Sequence, residues 1–365
     1  MPSRLLRALD SRIAKCRDPL QNTCLRAEKA ALLARQGQLE QARAELAAIH
    51  ARYDRQPNAV VSAWVSLAEG LIVYFSDLGV EAIDKIKRSL ALSEAVGARP
   101  IQALSAAWLA QMNFSRLDFG PMTRHLQIAL RAAEHDQHSA LSRACLVAAG
   151  AYHWAERIEL ALPWYGRARQ HATAEGDEAT LSALMHNMAW LRAAAARRHS
   201  VSGPLAPRQA LQAQISTDSI QSFDKLIGMA GLESLVPILR AQVLILGSQF
   251  GDALALLEAN IEGAVSEGLE RMACVMLADA AWCRLNMGDA VGARRDAEAA
   301  LARIVVDTQV DDLAMTHSRL AQMYAVIDHP DSASSHATQA SSAWRIHIER
   351  QALLVPSLRL ALDGL

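Results

Sequence analysis

Aromatic side chains are scarce, 5% of 365 residues, and no sign of charge predominates: 37 Lys and Arg stand against 38 Asp and Glu, for a formal net charge of −1. The two signs alternate along the chain instead of gathering in blocks, which excludes the basic footprint of a nucleic-acid binder and the polybasic patch of a membrane-surface protein. The five cysteines, Cys16, Cys24, Cys145, Cys274 and Cys283, are odd in number and form no CxxC pair. Neither a disulfide framework nor a zinc site is expected from them, and reduced, buried thiols are. No GxxxxGK[ST] phosphate loop, GxGxxG turn, HExxH pair or GxSxG elbow occurs. Histidines such as His153, His186 and His317 stand singly on helical stretches, without a carboxylate or thiol at ligand spacing, and read as interface or groove side chains. No catalytic residue, metal or cofactor is therefore expected. The N-terminal stretch is basic, but Arg7, Asp10 and Arg12 interrupt any apolar core, and no later run is expected to supply the roughly 18 apolar residues a membrane span needs. A soluble, cytoplasmic chain follows.

What the chain has instead is alanine, leucine and arginine throughout, with hydrophobic residues at 52% spread evenly from end to end. Helix propensity is high nearly everywhere and β-branched clusters bounded by turn signals are few. Superimposing the stretch around Gly37 on that around Gly288 exposes a repeat built on two small residues. The first falls at Ala30, Gly70, Ala110, Ala149, Ala189, Ala241, Ala281 and Ala321, in steps of 40, 40, 39, 40, 52, 40 and 40. The second falls at Ala42, Ala82, Met122, Ala161, Ala213, Ala253, Ala293 and Ala333, with the same single jump of twelve and one bulky exception, Met122. Small residues at both places let paired antiparallel helices approach closely, and stacked pairs bury faces that one pair alone would expose. The extra twelve residues fall where Gly203, Pro204 and Pro207 forbid continued helix, so the fifth hairpin's first helix is expected to end near Arg197 or Arg198. An inserted loop over about 197–208 follows, with Arg197 exposed. Asp311 and Asp312 open the last repeat's first helix, where carboxylates favour the helix dipole.

Ala149, Tyr152, Ala161, Tyr165 and Ala168, and again Leu320, Ala321, Tyr324, Ala333 and Ala340, resemble the small and aromatic positions of the tetratricopeptide repeat family. The period of 40 is longer than that family's usual 34 and is similar to the helical-repeat sensor region of LuxR-type ATP-dependent bacterial regulators. The resemblance implies an all-α, right-handed superhelical solenoid of about eight antiparallel helical hairpins over residues 1–349, with 350–365 a C-terminal helix or linker. Asp363, Gly364 and Leu365 resemble the lead-in to a diguanylate cyclase (GGDEF) domain, none of whose own motifs is present.

In such a solenoid the first helix of each hairpin lines the inner face. Counting from the small position places Trp64, Tyr74 and Phe75 of the second hairpin there, then Gln111 and Phe114 of the third, and Arg143, His153 and Trp154 of the fourth. His186 and Trp190 follow from the fifth, Gln242 from the sixth, Trp282 and Asn286 from the seventh and Gln322 from the eighth. Trp154 and Trp190, near one repeat apart, are expected to anchor a concave groove. Aromatic faces among Gln, His and Arg suit a peptide, an amphipathic helix or a ring-bearing small molecule. The expectation is a non-catalytic regulatory scaffold for a protein or peptide partner, without direct nucleic-acid or membrane contact. The alternative is a ligand-sensing module of a signalling protein.

Overall fold

The computed structural model describes residues 3–53, 57–202 and 234–363. These form helices and turns, with no strand among the described residues. They gather into two compact units, 3–185 with 354–363, and 186–202 with 234–353.

The first unit opens on α1 (Arg4–Lys15), whose N-terminus is capped by Ser3 Oγ accepting from the Leu6 N–H. Leu5, Leu6 and Leu9 are buried on one face of α1, while Arg7, Asp10 and Arg12, the residues that break its apolar run in sequence, are exposed on the other. Hairpins follow in order: α2 (Pro19–Arg35) with α3 (Leu39–Tyr53), α4 (Ala59–Asp77) with α5 (Glu81–Ala95), α6 (Arg99–Ser115) with α7 (Phe119–Ala132), and α8 (His138–Trp154) with α9 (Ile158–Glu175). Each first helix packs on its own partner, and α2 also packs on α4 and α6 on α8. The helix α10 (Glu178–Ser202) begins in this unit, and from His186 onward its residues belong to the second. There α11 (Leu235–Leu246) pairs with α12 (Phe250–Ala264) and α13 (Ala273–Asn286) with α14 (Ala290–Ala302). In the last hairpin Val310 and Ala314 of α15 (Val310–Val326) share a core with Ala343 of α16 (Pro330–Leu362).

The small positions do what their spacing implies. Ala30, Ala110, Ala149, Ala241 and Ala281 on first helices, and Ala42, Ala161, Ala253 and Ala293 on second helices, are all 0% exposed. At Gly70 even a methyl group is too large, since a Cβ there would stand 2.5 Å from Ile86 Cγ1 and 3.1 Å from the Ala82 carbonyl of α5. Met122 is also fully buried, so its bulk fills the α6–α7 seam without breaking the phase. Among the described small positions, only the last pair, Ala321 and Ala333, keeps part of its surface exposed.

The turns repeat as faithfully as the helices. One residue between the two helices takes a left-handed φ in each described hairpin: Gly37, Leu78, Leu117 and Glu156 in the first unit, Ser248, Gly288 and Asp328 in the second. The next N–H donates to the carbonyl five residues back in six of these, from Gln38 to Leu33, Asp118 to Asn113, Arg157 to Tyr152, Gln249 to Leu244, Asp289 to Arg284 and His329 to Tyr324, at 2.9–3.0 Å. This is the Schellman closure, which satisfies carbonyls the helix end would orphan. Five of the seven left-handed residues are not glycine, at a cost of about 1 kcal/mol each.

Three expectations change. The helix α10 runs on to Ser202 instead of stopping near Arg197 or Arg198, because nothing before Pro204 blocks the α conformation. Arg197 is buried at 5% exposure, not exposed, because it ion-pairs with Asp279. One stretch, Ala59–Ser76 of α4, is long and apolar enough to cross a membrane by composition, contrary to the expectation of none, and half of that window is buried. Within it Gly70 meets α5 and Glu69 binds Lys85 at 2.9 Å, so in this unit α4 is one helix of a packed hairpin. The loop residues Gly203, Pro204 and Pro207, the small position Ala213, and Gly364 and Leu365 lie outside the described residues.

Candidate binding surface on the first helices

Within the first unit, four first helices bring one cluster together. Trp108 of α6 is its floor, at 1% exposure. The rings of Tyr74 and Phe75, from the last turn of α4, stand edge-on to Trp108 with centroids at 6.2 and 5.8 Å. The Arg143 guanidinium of α8 lies over the Trp108 ring, 4.1 Å from its centroid, and that of Arg35, the last residue of α2, is 5.8 Å away. A cation over an indole face is attracted by the ring quadrupole, more strongly once both are desolvated.

Asp177 closes the cluster. It precedes α10 and caps it, Oδ1 accepting from the Thr180 N–H at 3.0 Å, while Oδ2 accepts from Arg35 Nη2 at 2.5 Å and from the Thr180 hydroxyl at 2.8 Å. Burial pushes this carboxyl up, but the Arg35 guanidinium and the Thr180 hydrogen bonds together hold it below the usual carboxylate range. Arg143 has no such partner: its one hydrogen bond here is a long one, 3.4 Å from Nη2 to Thr180 Oγ1. Burial, and then the neighbouring Arg35 charge, bring its pKa down to about 9. Arg35 Nε and, one turn along α6 from Trp108, Gln111 Oε1 are buried without a hydrogen-bond partner.

Of the residues expected to line the inner face, Tyr74, Phe75 and Arg143 take part in this cluster, and Gln111 stands one turn from Trp108. Phe114 instead packs between helices, against Gly150 of α8, where an added Cβ would come within 3.0 Å of its ring. Trp64 is half-buried on α4, and no ring stacking joins it to the cluster among the described residues. His153 and Trp154, expected as groove contacts, are buried at 8% and 7% and meet other helices, α9 of the same hairpin and α7 of the preceding one respectively. His153 Nδ1 is 3.0 Å from the Tyr165 hydroxyl of α9, and Trp154 meets Phe119 of α7 at 4.9 Å between centroids. The His153 contact belongs to a series in which residues twelve apart meet across a hairpin. Asn113 and His125 are 3.0 Å apart, Arg284 and Asp296 2.6 Å, and Tyr324 stacks on His336 at 5.5 Å.

The second unit holds a cluster of similar composition. Asp279 of α13, 0% exposed, binds Arg197 Nη2 at 2.5 Å through Oδ2 and stands 3.5 Å from Arg319 Nε through Oδ1. The Arg319 guanidinium lies 5.6 Å from the Trp282 ring and donates to Gln322 at 3.0 Å, so two expected residues fall here. Asn286 turns back to the Trp282 carbonyl, and Gln242 is buried with Nε2 unpartnered. His186 and Trp190 are half-buried on α10, in a different unit from Trp154. Asp312, read from sequence as a dipole-stabilising carboxylate, is pushed up to about 7 by burial and by Asp311 beside it. The thiols of Cys145 and Cys283 are pushed up to about 12 by burial.

Arg35, Trp108, Asp177, Asp279 and Arg319 were not singled out in sequence, and Arg197 was read only as an exposed helix end. For Asp279 the available signal was a charged residue flanked on both sides by apolar ones within a first helix, LADAAW.

No known protein family's model matches the chain, and no curated protein matches it. Among solved structures it is similar to the crystal structure of a Rap protein complexed with Competence and Sporulation Factor, at 11% identity and a TM-score of 0.61, over 91% of this chain and 100% of that one. The likeness shows the fold: this is a tetratricopeptide-like helical repeat protein.

Proposed function

We propose that this chain is a non-catalytic, cytoplasmic binding protein that takes a peptide segment on the first-helix face of its first unit. The observation that carries the reading is the Arg143 guanidinium over the face of Trp108 with the Tyr74 and Phe75 rings beside it. Such a surface supplies flat apolar area with a directional cation, the composition that dominates peptide and protein recognition. Tyr74 and Phe75 are half-buried, so the cluster keeps an aromatic edge in solvent. The groups present bind better than they react: arginine stays protonated, and Asp177 has its carboxylate committed to Arg35 and to the α10 cap. The similar Rap structure, whose fold this chain shares, holds Competence and Sporulation Factor, which supports a binding role for such a scaffold.

The test is selection from a displayed random-peptide library on the full-length protein, followed by titration of the enriched peptides. Convergent sequences with micromolar affinity are expected, and Tyr74→Ala should weaken them about tenfold or more while leaving helical circular dichroism intact. Failure of any sequence to enrich, or indifference of every enriched peptide to Tyr74→Ala, would refute the reading.

A further inference from the structure

Two guanidiniums, Arg35 and Arg143, are more than nine-tenths buried against one indole, and the one carboxylate bonded to either is Asp177 among the described residues. That carboxylate is already fully engaged. Its Oδ1 accepts from a backbone N–H at the start of α10, and its Oδ2 accepts from Arg35 and Thr180. The next carboxylate in electrostatic reach of Arg35, Glu175, is bonded to Ser139 Oγ at 2.6 Å, and burial raises its pKa. Arg143 has no acid within ion-pair distance among the described residues, and Arg35 has a buried Nε–H with no acceptor.

The carboxylate acting on Arg143 is Asp177, already committed to Arg35 and Thr180, and a buried cation so weakly compensated is costly unless further negative charge pairs with it. Its guanidinium carbon stands 4.1 Å from the Trp108 ring centroid, which holds the group at the ring face, and a planar acceptor with two oxygens matches its fork of N–H donors. We propose that Arg143, with Arg35 beside it, is the receptor for a single carboxylate group of the ligand. The ligand is therefore an acid, entering past the half-buried rings of Tyr74 and Phe75 and pairing with the Arg143 charge. This rests on the binding role proposed above and names the chemistry of its guest. The carboxylate has two possible sources, an acidic group of a peptide or a free organic acid, and the experiment separates them.

Two arms use the full-length protein. In the first, thermal unfolding is followed with benzoate and with benzamide at matched ionic strength. Benzoate should raise the melting temperature in a saturable way and benzamide should not, and Arg143→Met, which keeps the stem against Trp108 but removes the charge, should abolish the benzoate shift. In the second, each acidic group of a selected peptide, C-terminus included, is replaced in turn by its amide. One replacement should cost about tenfold or more in affinity to the wild type and nothing to Arg143→Met. An Arg143→Met protein that melts lower without ligand yet still binds acid and amide differently would show a merely structural arginine and overturn the proposal. Peptides that bind equally well with every acid amidated, together with no benzoate shift, would overturn it while leaving the peptide-binding reading in place. A benzoate shift lost in Arg143→Met, with no peptide selected, would uphold the carboxylate site and reject the peptide.

Discussion

Replacing Arg197 by alanine distinguishes a surface residue from a buried one by an order of magnitude. An exposed arginine beside a loop would cost under about 0.5 kcal/mol. In the structure the side chains of Arg197 and Asp279 are 6% and 0% exposed and meet at 2.5 Å, so solvent screens the pair little. Removing one partner of a buried pair typically costs about 3–5 kcal/mol, because the other charge remains buried. Arg319 stays 3.5 Å from the other Asp279 oxygen and partly compensates, which places the cost at the lower end, about 3 kcal/mol. Urea unfolding followed by circular dichroism and tryptophan fluorescence is the assay, read on the transition that changes, because two units need not unfold together. With a slope of about 2–3 kcal/mol per molar, the midpoint should fall by about 1 M. Asp279→Asn should cost a comparable amount, and the double variant much less than the two singles combined, since both remove the same interaction. An Arg197→Ala protein within about 0.5 kcal/mol of the wild type, or strictly additive effects, would refute the buried pair.

Gly70→Ala should destabilise by about 1–2 kcal/mol in the same assay despite alanine's better helix propensity, because the added methyl must displace Ile86 or the Ala82 backbone. Ser248→Gly should stabilise by about 0.5–1 kcal/mol, since Ser248 sits exposed at φ 59 with no side-chain contact needed for the turn. Burial pushes the Glu28 carboxyl up to about 7 from 4.5, so the folded chain holds a proton that the unfolded chain has lost over that interval, and its contribution to stability falls as pH rises through it. Glu28→Gln should therefore match the wild type near pH 4 and exceed it at pH 8, on the order of 1 kcal/mol given a side chain 23% exposed. Under native conditions at pH 8, mass spectrometry after brief iodoacetamide treatment should find Cys145 and Cys283 unmodified and Cys16 modified first, because the two buried thiols stay protonated.

The helical class and the hairpin phase were legible from the chain because each rests on contacts between residues about twelve apart. Ala281 and Ala293 share a core for the same reason that Asn113 meets His125 and Arg284 meets Asp296: a helix, a turn with one left-handed residue and a return helix carry them there. Small residues in step therefore suffice to read the register, even with Met122 in place of one. Tyr74 and Arg143, named by the same counting, meet at Trp108. His153 and Trp154, further along α8, meet other helices, His153 with Tyr165 of its own hairpin and Trp154 with Phe119 of the preceding one. Arg35 and Asp177, 142 residues apart, and Arg197 and Asp279, 82 apart, meet only once several hairpins have stacked within a unit. Where they arrive depends on the small rotation that each hairpin adds to the last, a sum over many packing contacts that no local spacing records. Burial of those four charges, and of Arg143 beside Trp108, was therefore decided by the tertiary structure.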